Sequence, residues 1–114
     1  MDVTFDFEDR VALVTGVSGA LGSSVARTFK AAGATVAGTD RREPSADDTQ
    51  LEPGTVEFYH ADLTDEADVK GLIDDVVDDH GRLDYLLNIA GTWMGGDPIH
   101  ETPVEDFEMV FDVN

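Results

Sequence analysis

The segment VTGVSGALG at residues 14–22 restricts the fold of this chain more than any other feature of the sequence. An apolar run, RVALVTG at residues 10–16, leads into it, and residues 20–33 follow with apolar side chains at helical spacing. Glycines between a strand and a helix permit a tight turn and a close approach to a ligand. The segment therefore predicts a strand, a glycine turn and a helix that ends at Gly33.

The start of that helix is a candidate anion site. The first N–H groups of a helix lack internal partners and carry its positive dipole end, so they suit a pyrophosphate. A glycine turn alone is not specific for a dinucleotide, because ordinary strand-to-helix turns also contain glycine. The serine of the segment adds a hydroxyl that can donate to the same ligand. We expect the ligand to contact Gly16, Ser18, Gly19, Ala20, Leu21 and Gly22.

Strand and helix patterns alternate along the rest of the chain. Such alternation predicts an α/β fold, in which helices cover both faces of a parallel sheet and the crossovers are right-handed. We expect a single domain, residues 1–114, with its ligand outside the carboxyl ends of the strands. The further strands are predicted at residues 34–40, 55–61 and 83–91, and the further helices at 64–81 and 102–114.

Local patterns predict how two of the helices begin and which residues are buried. Thr64 is placed to cap the helix that follows it, whereas Thr102 and Glu105 form a capping box with Pro103 at the first helical position. We expect the fourth strand to be buried, and the apolar stripe of each helix to face the core. The stripes are Leu21, Val25, Phe29 and Ala32; Val69, Leu72, Ile73, Val76 and Val77; and Phe107, Val110, Phe111 and Asn114.

The charge balance limits the partners. The chain has 25 Asp and Glu residues against 7 Lys and Arg, a formal net charge of −18. Since that sign repels phosphate backbones and anionic lipid headgroups, we expect neither a nucleic-acid nor a membrane partner. The even spread of acids resembles the composition of proteins from salt-loving organisms, and an ordinary acidic cytosolic protein is the alternative. The acidic face of the helix at 64–81, with Asp74, Asp75, Asp78 and Asp79, is interpreted as solvated and not as a metal site.

Cysteine and histidine usage argues against several kinds of site. Cysteine is absent, which excludes disulfides and thiolate metal centres. His60, His80 and His100 are far apart and lack metal-ligand spacing, so we expect no metal site. The apolar runs are too short to span a membrane and the amino terminus lacks a signal-peptide pattern, so we expect a cytoplasmic protein.

The second predicted strand ends in Asp40, which makes the anion site more specific. Asp40 lies about 20 residues beyond the glycine turn, where a carboxylate meets the adenosine ribose of a dinucleotide. A carboxylate accepts hydrogen bonds from free ribose hydroxyls and repels a 2′-phosphate, so it favours NAD over NADP. Arg41 and Arg42 leave NADP open, because either guanidinium can pair with a 2′-phosphate or with one of the nearby acids.

Taken together, TGVSGALG at 15–22, Asp40, Asp62-Leu63, NIAG at 88–91 and Asn114 resemble the amino-terminal half of a short-chain dehydrogenase/reductase. Classical members of that family carry TGxxxGxG, whereas this chain has Ala20 at the second glycine and matches the TGxxGxxG of extended members such as sugar-nucleotide epimerases. The NIAG segment is of the classical type. The resemblance as a whole favours the classical subfamily.

The resemblance implies a fold and a cofactor site. The fold would be a Rossmann-like doubly wound parallel sheet, truncated after its fourth strand and the following helix. Asp62 would accept a hydrogen bond from the adenine amino group beside the Leu63 amide. Asn88, Ala90 and Gly91 would line the cofactor at the end of the fourth strand.

The resemblance also implies catalysis. Asn114 would be the helix asparagine of a catalytic tetrad, which holds a water in a proton relay, and Trp93 and Met94 would border the nicotinamide or substrate pocket. The family serine and the Tyr-x-x-x-Lys unit are absent, because neither Tyr59 nor Tyr85 is followed four residues later by lysine. The parent would be a homo-oligomer that transfers hydride between nicotinamide and a small carbonyl compound or alcohol.

Two hypotheses follow for these 114 residues. They are either the cofactor-binding part of a longer oxidoreductase or a complete nucleotide-binding module without catalysis. We also expect the isolated chain to be unstable or to aggregate in low salt, because its fourth strand would leave an apolar sheet edge unpaired.

Overall fold

The computed structural model describes residues 2–45 and 51–114 of the chain. Strands and helices alternate, as the sequence predicts, with one additional 3₁₀ turn at Ile99–Glu101. The third and fourth strands are shorter than predicted. The elements are β1 (Val11–Thr15), α1 (Ala20–Ala31), β2 (Thr35–Asp40), β3 (Glu57–His60), α2 (Glu66–His80), β4 (Tyr85–Leu87) and α3 (Val104–Val113).

The four described strands form one parallel sheet in the order β3-β2-β1-β4. In the register of β1, Val14 is paired with Gly38 of β2 and with Leu87 of β4. The carboxyl ends of these three strands therefore reach the same edge of the sheet. The arrangement confirms the predicted Rossmann-like parallel sheet.

Alternate residues of β1 face opposite layers, so the molecule has two cores. Leu13 belongs to the cluster that packs against Leu72 and Val76 of α2. Val14 belongs to the cluster that packs against Ala26 of α1. All five residues of β1 are buried, which is the pattern expected of a central strand covered on both faces.

The start of α2 differs from the prediction by one residue. The cap is Asp65, whose Oδ1 accepts from the N–H groups of Ala67 (2.8 Å) and Asp68 (3.2 Å). Thr64 does not cap, since its hydroxyl donates to Asp62 Oδ1 at 2.6 Å. Because the Thr64 hydroxyl is bonded to the Asp62 carboxylate, which precedes the helix, it does not accept from the N–H groups of the first helical turn.

The predicted capping box of α3 is also wrong. Pro103 is the residue before the helix instead of its first residue, and no side chain caps the helix. The Thr102 hydroxyl donates instead to the Pro98 carbonyl at 3.1 Å, across the 3₁₀ turn. That turn contains His100.

Several apolar residues predicted in the core are exposed. The fully buried residues of helix α1 are small, Gly22, Ser23 and Ala26. Its larger side chains Val25 and Phe29 are only partly buried where they pack against the core. Strand β4 is the outer strand on its side of the described sheet, and one of its side chains is half exposed. The exposed apolar residues are Leu21, Val77, Leu86, Phe107 and Phe111. Asn114, which was predicted on the same face of α3 as Phe107 and Phe111, is also exposed.

Candidate functional site

A cavity of about 650 Å³ opens at the carboxyl ends of β1, β2 and β4. It brings together most of the residues that the sequence singles out. Ser18, Asn88 and Asn114 are not among the described residues of its wall, whereas Ala61, Thr64, Ile89, Thr92, Met109 and Val113 are unpredicted members. The predicted residues in the wall are Gly16, Gly19, Ala20, Leu21, Gly22, Asp40, Arg41, Asp62, Leu63, Ala90 and Gly91.

The glycine turn is packed too closely to hold side chains. Gly16 has a φ of +65°, and a Cβ there would lie 2.9 Å from the backbone N and Cα of Ala90. A Cβ on Gly22 would lie 2.0 Å from the Gly16 carbonyl oxygen. Glycine at these two positions lets the first turn of α1 sit directly on the loop that precedes it.

The first turn of α1 contains no acidic residue of its own, and no side chain caps the helix. The first turns of α2 and α3 each contain two acidic residues, in a chain of net charge −18. The positive amino-terminal end of α1 is therefore not neutralised by an acid in its own first turn, which suits it to bind an anionic ligand.

Asp40 stands at the edge of the cavity with both carboxylate oxygens oriented by the backbone. Its Oδ2 accepts from the Ser18 N–H at 3.1 Å, and its Oδ1 accepts from the Arg41 N–H at 2.8 Å. The Ser18 hydroxyl, which the sequence predicts to be a ligand donor, donates to the Arg42 carbonyl in this structure. Each Asp40 oxygen retains acceptor capacity for a ligand hydroxyl, because a carboxylate oxygen has two lone pairs.

Asp62 also lines the cavity, where the chain leaves the neighbouring strand β3. Hydrogen bonds from the Thr64 hydroxyl and backbone N–H, at 2.6 and 2.9 Å, hold the pKa of Asp62 below its ordinary value. The Arg41 guanidinium is 3.9 Å from the Asp62 carboxylate. This contact is an ion pair between two exposed side chains.

Thr15, the first residue of the TGVSGALG segment, has a structural role that the sequence analysis did not assign. Its hydroxyl oxygen accepts from the N–H groups of Ile89 and Ala90, both at 3.0 Å, and donates to the Leu87 carbonyl at 3.4 Å. The buried Thr15 side chain at the end of β1 thus fixes the backbone of Ile89 and Ala90, which follow β4 and line the cavity. The sequence offers only a hydroxyl at a strand end as a signal, since the partners are more than 70 residues away.

Replacing Thr15 by Val is expected to destabilise the fold by about 1–3 kcal/mol. Valine keeps the shape but leaves two part-buried N–H groups without their acceptor. Chemical denaturation of the variant measures the effect. Thr15→Ser, which retains the hydroxyl, is the matched control, and a valine variant as stable as the serine variant would contradict the assignment.

The two asparagines of the predicted site have different surroundings. Asn88 is exposed outside the cavity wall. Asn114 ties α3 to the loop after β4: its Nδ2 donates to the carbonyls of Thr92 (2.8 Å) and Val110 (2.7 Å), and its Oδ1 accepts from Thr92 N–H at 3.2 Å. Trp93 is 79% exposed and, like its neighbour Met94, lies outside the wall.

Two of the histidines stand in local polar contacts. His80 Nε2 is 2.9 Å from the Glu57 carboxylate and 3.2 Å from the Tyr59 hydroxyl, between α2 and β3, and His100 Nε2 is 3.8 Å from the Glu101 carboxylate. Within residues 2–45 and 51–114, no three His, Cys, Asp or Glu side chains form a group that could hold a metal ion. No helix among those residues has the length and apolar character needed to cross a bilayer.

Comparison with known proteins agrees with this geometry. A sequence model of the family described as short chain dehydrogenase matches residues 10–114, so the chain belongs to that family. It is 38% identical over 110 residues to the mitochondrial borneol dehydrogenase of Lavandula x intermedia, covering 94% of this chain and 41% of that protein. It is 31% identical over 110 residues to meso-2,3-butanediol dehydrogenase of Serratia marcescens, covering 95% and 43%.

Solved structures show the same relationship. A short-chain type dehydrogenase/reductase from Mycobacterium ulcerans superposes with a TM-score of 0.83 at 30% identity, over 96% of this chain and 42% of that one. Ligand-free aldohexose dehydrogenase from Thermoplasma acidophilum gives a TM-score of 0.84 at 26% identity, over 97% and 40%. The chain thus spans about two fifths of the length of the relatives it matches.

Proposed function

We propose that these residues form the NAD-binding part of a cytoplasmic oxidoreductase that acts on a carbonyl compound or a secondary alcohol. Members of the family bind a nicotinamide dinucleotide, and the relatives named above are dehydrogenases. NAD would take a hydride from the alcohol carbon, while the hydroxyl proton passes to a base. The Tyr-x-x-x-Lys unit that would supply this base is not in the 114 residues.

The cavity wall fits the phosphates of such a cofactor. Gly16, Gly19 and Gly22 have no side chains that could obstruct a pyrophosphate, and the first turn of the adjoining helix carries no acid. The N–H groups of the first helical turn would hold the two phosphates. Asp62 would receive the adenine amino group, and Ala90 and Gly91 would border the path toward the nicotinamide.

The observation that carries the choice of NAD is the carboxylate of Asp40. Its orientation by two backbone N–H groups leaves a lone pair on each oxygen for the two vicinal ribose hydroxyls. A 2′-phosphate at the same place would meet a fixed negative charge. The ion pair between Arg41 and Asp62 agrees with NAD, because it engages the Arg41 guanidinium with an acid.

Asn114 is proposed to act at the catalytic end of the site. Its amide holds the main chain of Thr92 at both the carbonyl and the N–H, which orders the loop beyond Gly91. In a longer parent protein this position would hold a water in the proton relay. Homo-oligomer formation by that parent is part of the same proposal.

Replacing Asp40 by Ala is expected to weaken NADH binding by about tenfold or more, since it removes charge-assisted hydrogen bonds. NADPH binding is expected to change less, because the lost bonds are offset by the lost repulsion. Titration of both cofactors in concentrated KCl measures the two dissociation constants. Asp40→Asn keeps an acceptor for the Ser18 N–H, and Asp75→Ala, on the exposed face of α2, is the matched control.

The comparison of the two cofactors decides the assignment. An equal loss of NADH and NADPH affinity in Asp40→Ala would show that Asp40 is not the ribose ligand. Absence of dinucleotide binding by the unaltered chain, under conditions where circular dichroism shows it folded, would contradict the proposed function itself.

A further inference from the structure

We infer that Ser18 is a positioning residue that sets the preference for NAD by holding Asp40, and that its hydroxyl does not bind the cofactor phosphates. This inference rests on the proposed function. It assigns to Ser18 a role different from the one its place in the glycine turn suggests.

Two hydrogen bonds connect Ser18 to the end of β2. Its N–H donates to Asp40 Oδ2 at 3.1 Å, and its hydroxyl donates to the carbonyl of Arg42, the second residue after the strand. The glycine turn is thereby tied to the turn that carries the selective carboxylate. Ser18 is not among the described residues of the cavity wall, whereas Asp40 and Arg41 are.

The hydroxyl acts on Asp40 through the main chain. The N–H of Arg41 orients the second carboxylate oxygen, Oδ1, at 2.8 Å. Arg41 lies between Asp40 and the carbonyl that Ser18 holds, so loss of the hydroxyl frees the segment that presents this N–H. Asp40 can then rotate, and both its bonds to the ribose and its repulsion of a 2′-phosphate become weaker.

A phosphate-binding role for Ser18 gives a different result. NADH and NADPH carry the same pyrophosphate, so loss of a phosphate donor weakens both equally. Loss of a residue that orients Asp40 weakens NADH more than NADPH. The ratio of the two dissociation constants therefore separates the two roles, and overall affinity does not.

The experiment titrates NADH and NADPH into the 114-residue chain in concentrated KCl. We expect Ser18→Ala to lower the preference for NADH by about threefold to tenfold, the effect of one lost hydrogen bond. Ser18→Thr keeps a hydroxyl and is expected to retain the preference. Ser24→Ala, an exposed position on α1, is the control for the same substitution and is expected to leave both constants unchanged.

A double-mutant cycle tests whether the effect passes through Asp40. If it does, Ser18→Ala causes no further change in the ratio once Asp40 has been replaced by Ala. A further change of the same size in that background would overturn the inference. Ser18→Gly removes the same hydroxyl and replaces Ser18→Ala in the cycle if the alanine variant does not fold.

The outcomes distinguish this inference from the proposed function. Equal weakening of NADH and NADPH in Ser18→Ala, or no change in either, overturns the positioning role and leaves dinucleotide binding standing. No binding of either cofactor by the folded, unaltered chain overturns both.

Discussion

Replacing Gly22 by Ala is expected to abolish high-affinity dinucleotide binding and to destabilise the fold by about 2–3 kcal/mol. The added Cβ would lie 2.0 Å from the Gly16 carbonyl oxygen and 2.7 Å from its carbonyl carbon. Both atoms are backbone, so relief requires α1 and the turn to move apart by well over an ångström. That movement displaces the N–H groups that are proposed to hold the pyrophosphate. Cofactor titration and chemical denaturation measure the two effects.

Gly71→Ala is the matched control for this substitution. Gly71 lies within α2, and a Cβ there would meet nothing within 4 Å. Alanine at an open helical position is expected to stabilise the fold by about 0.5–1 kcal/mol and to leave binding unchanged. If Gly22→Ala behaved like Gly71→Ala, the close contact between α1 and the glycine turn would be wrong.

The isolated chain is expected to lose its folded state in dilute buffer and to regain it in concentrated KCl. A net charge of −18 on 114 residues favours expansion of the chain, and salt screens this repulsion. Apolar surface adds a tendency to associate, since Leu86 on the outer strand is half exposed and Phe107 and Phe111 on α3 are mostly exposed. Circular dichroism and sedimentation velocity across a salt series measure the effect.

A charge variant separates repulsion from apolar association. Asp74 and Asp78 lie on the exposed face of α2, one turn apart, so replacing both by Lys relieves local repulsion without altering the sheet edge. The variant is expected to fold at lower KCl than the unaltered chain. A cooperative unfolding transition of a monomer without salt or cofactor would contradict the expectation for the unaltered chain.

Much of the candidate site could be predicted from the sequence because its parts are local. The turn at residues 14–22 requires glycine for reasons that depend on adjacent backbone, and Asp40 follows from the length of one helix and one strand. The helix starts were predicted less well. Threonine is a common residue at the amino-terminal cap of a helix, yet Thr64 and Thr102 each donate the hydroxyl hydrogen to a group outside the helix that follows.

The sequence by itself determined the order of strands and helices, the parallel sheet and the glycine turn facing Asp40, because hydrophobic spacing and backbone requirements act over a few residues. The tertiary structure decided which polar groups face the cavity. Thr15 binds the main chain of Ile89 and Ala90, and Ser18 binds that of Arg42, through contacts that no local pattern records. Hydroxyls satisfy whichever acceptors or donors the packed strands bring within 3 Å, so their partners are settled only when the sheet has formed.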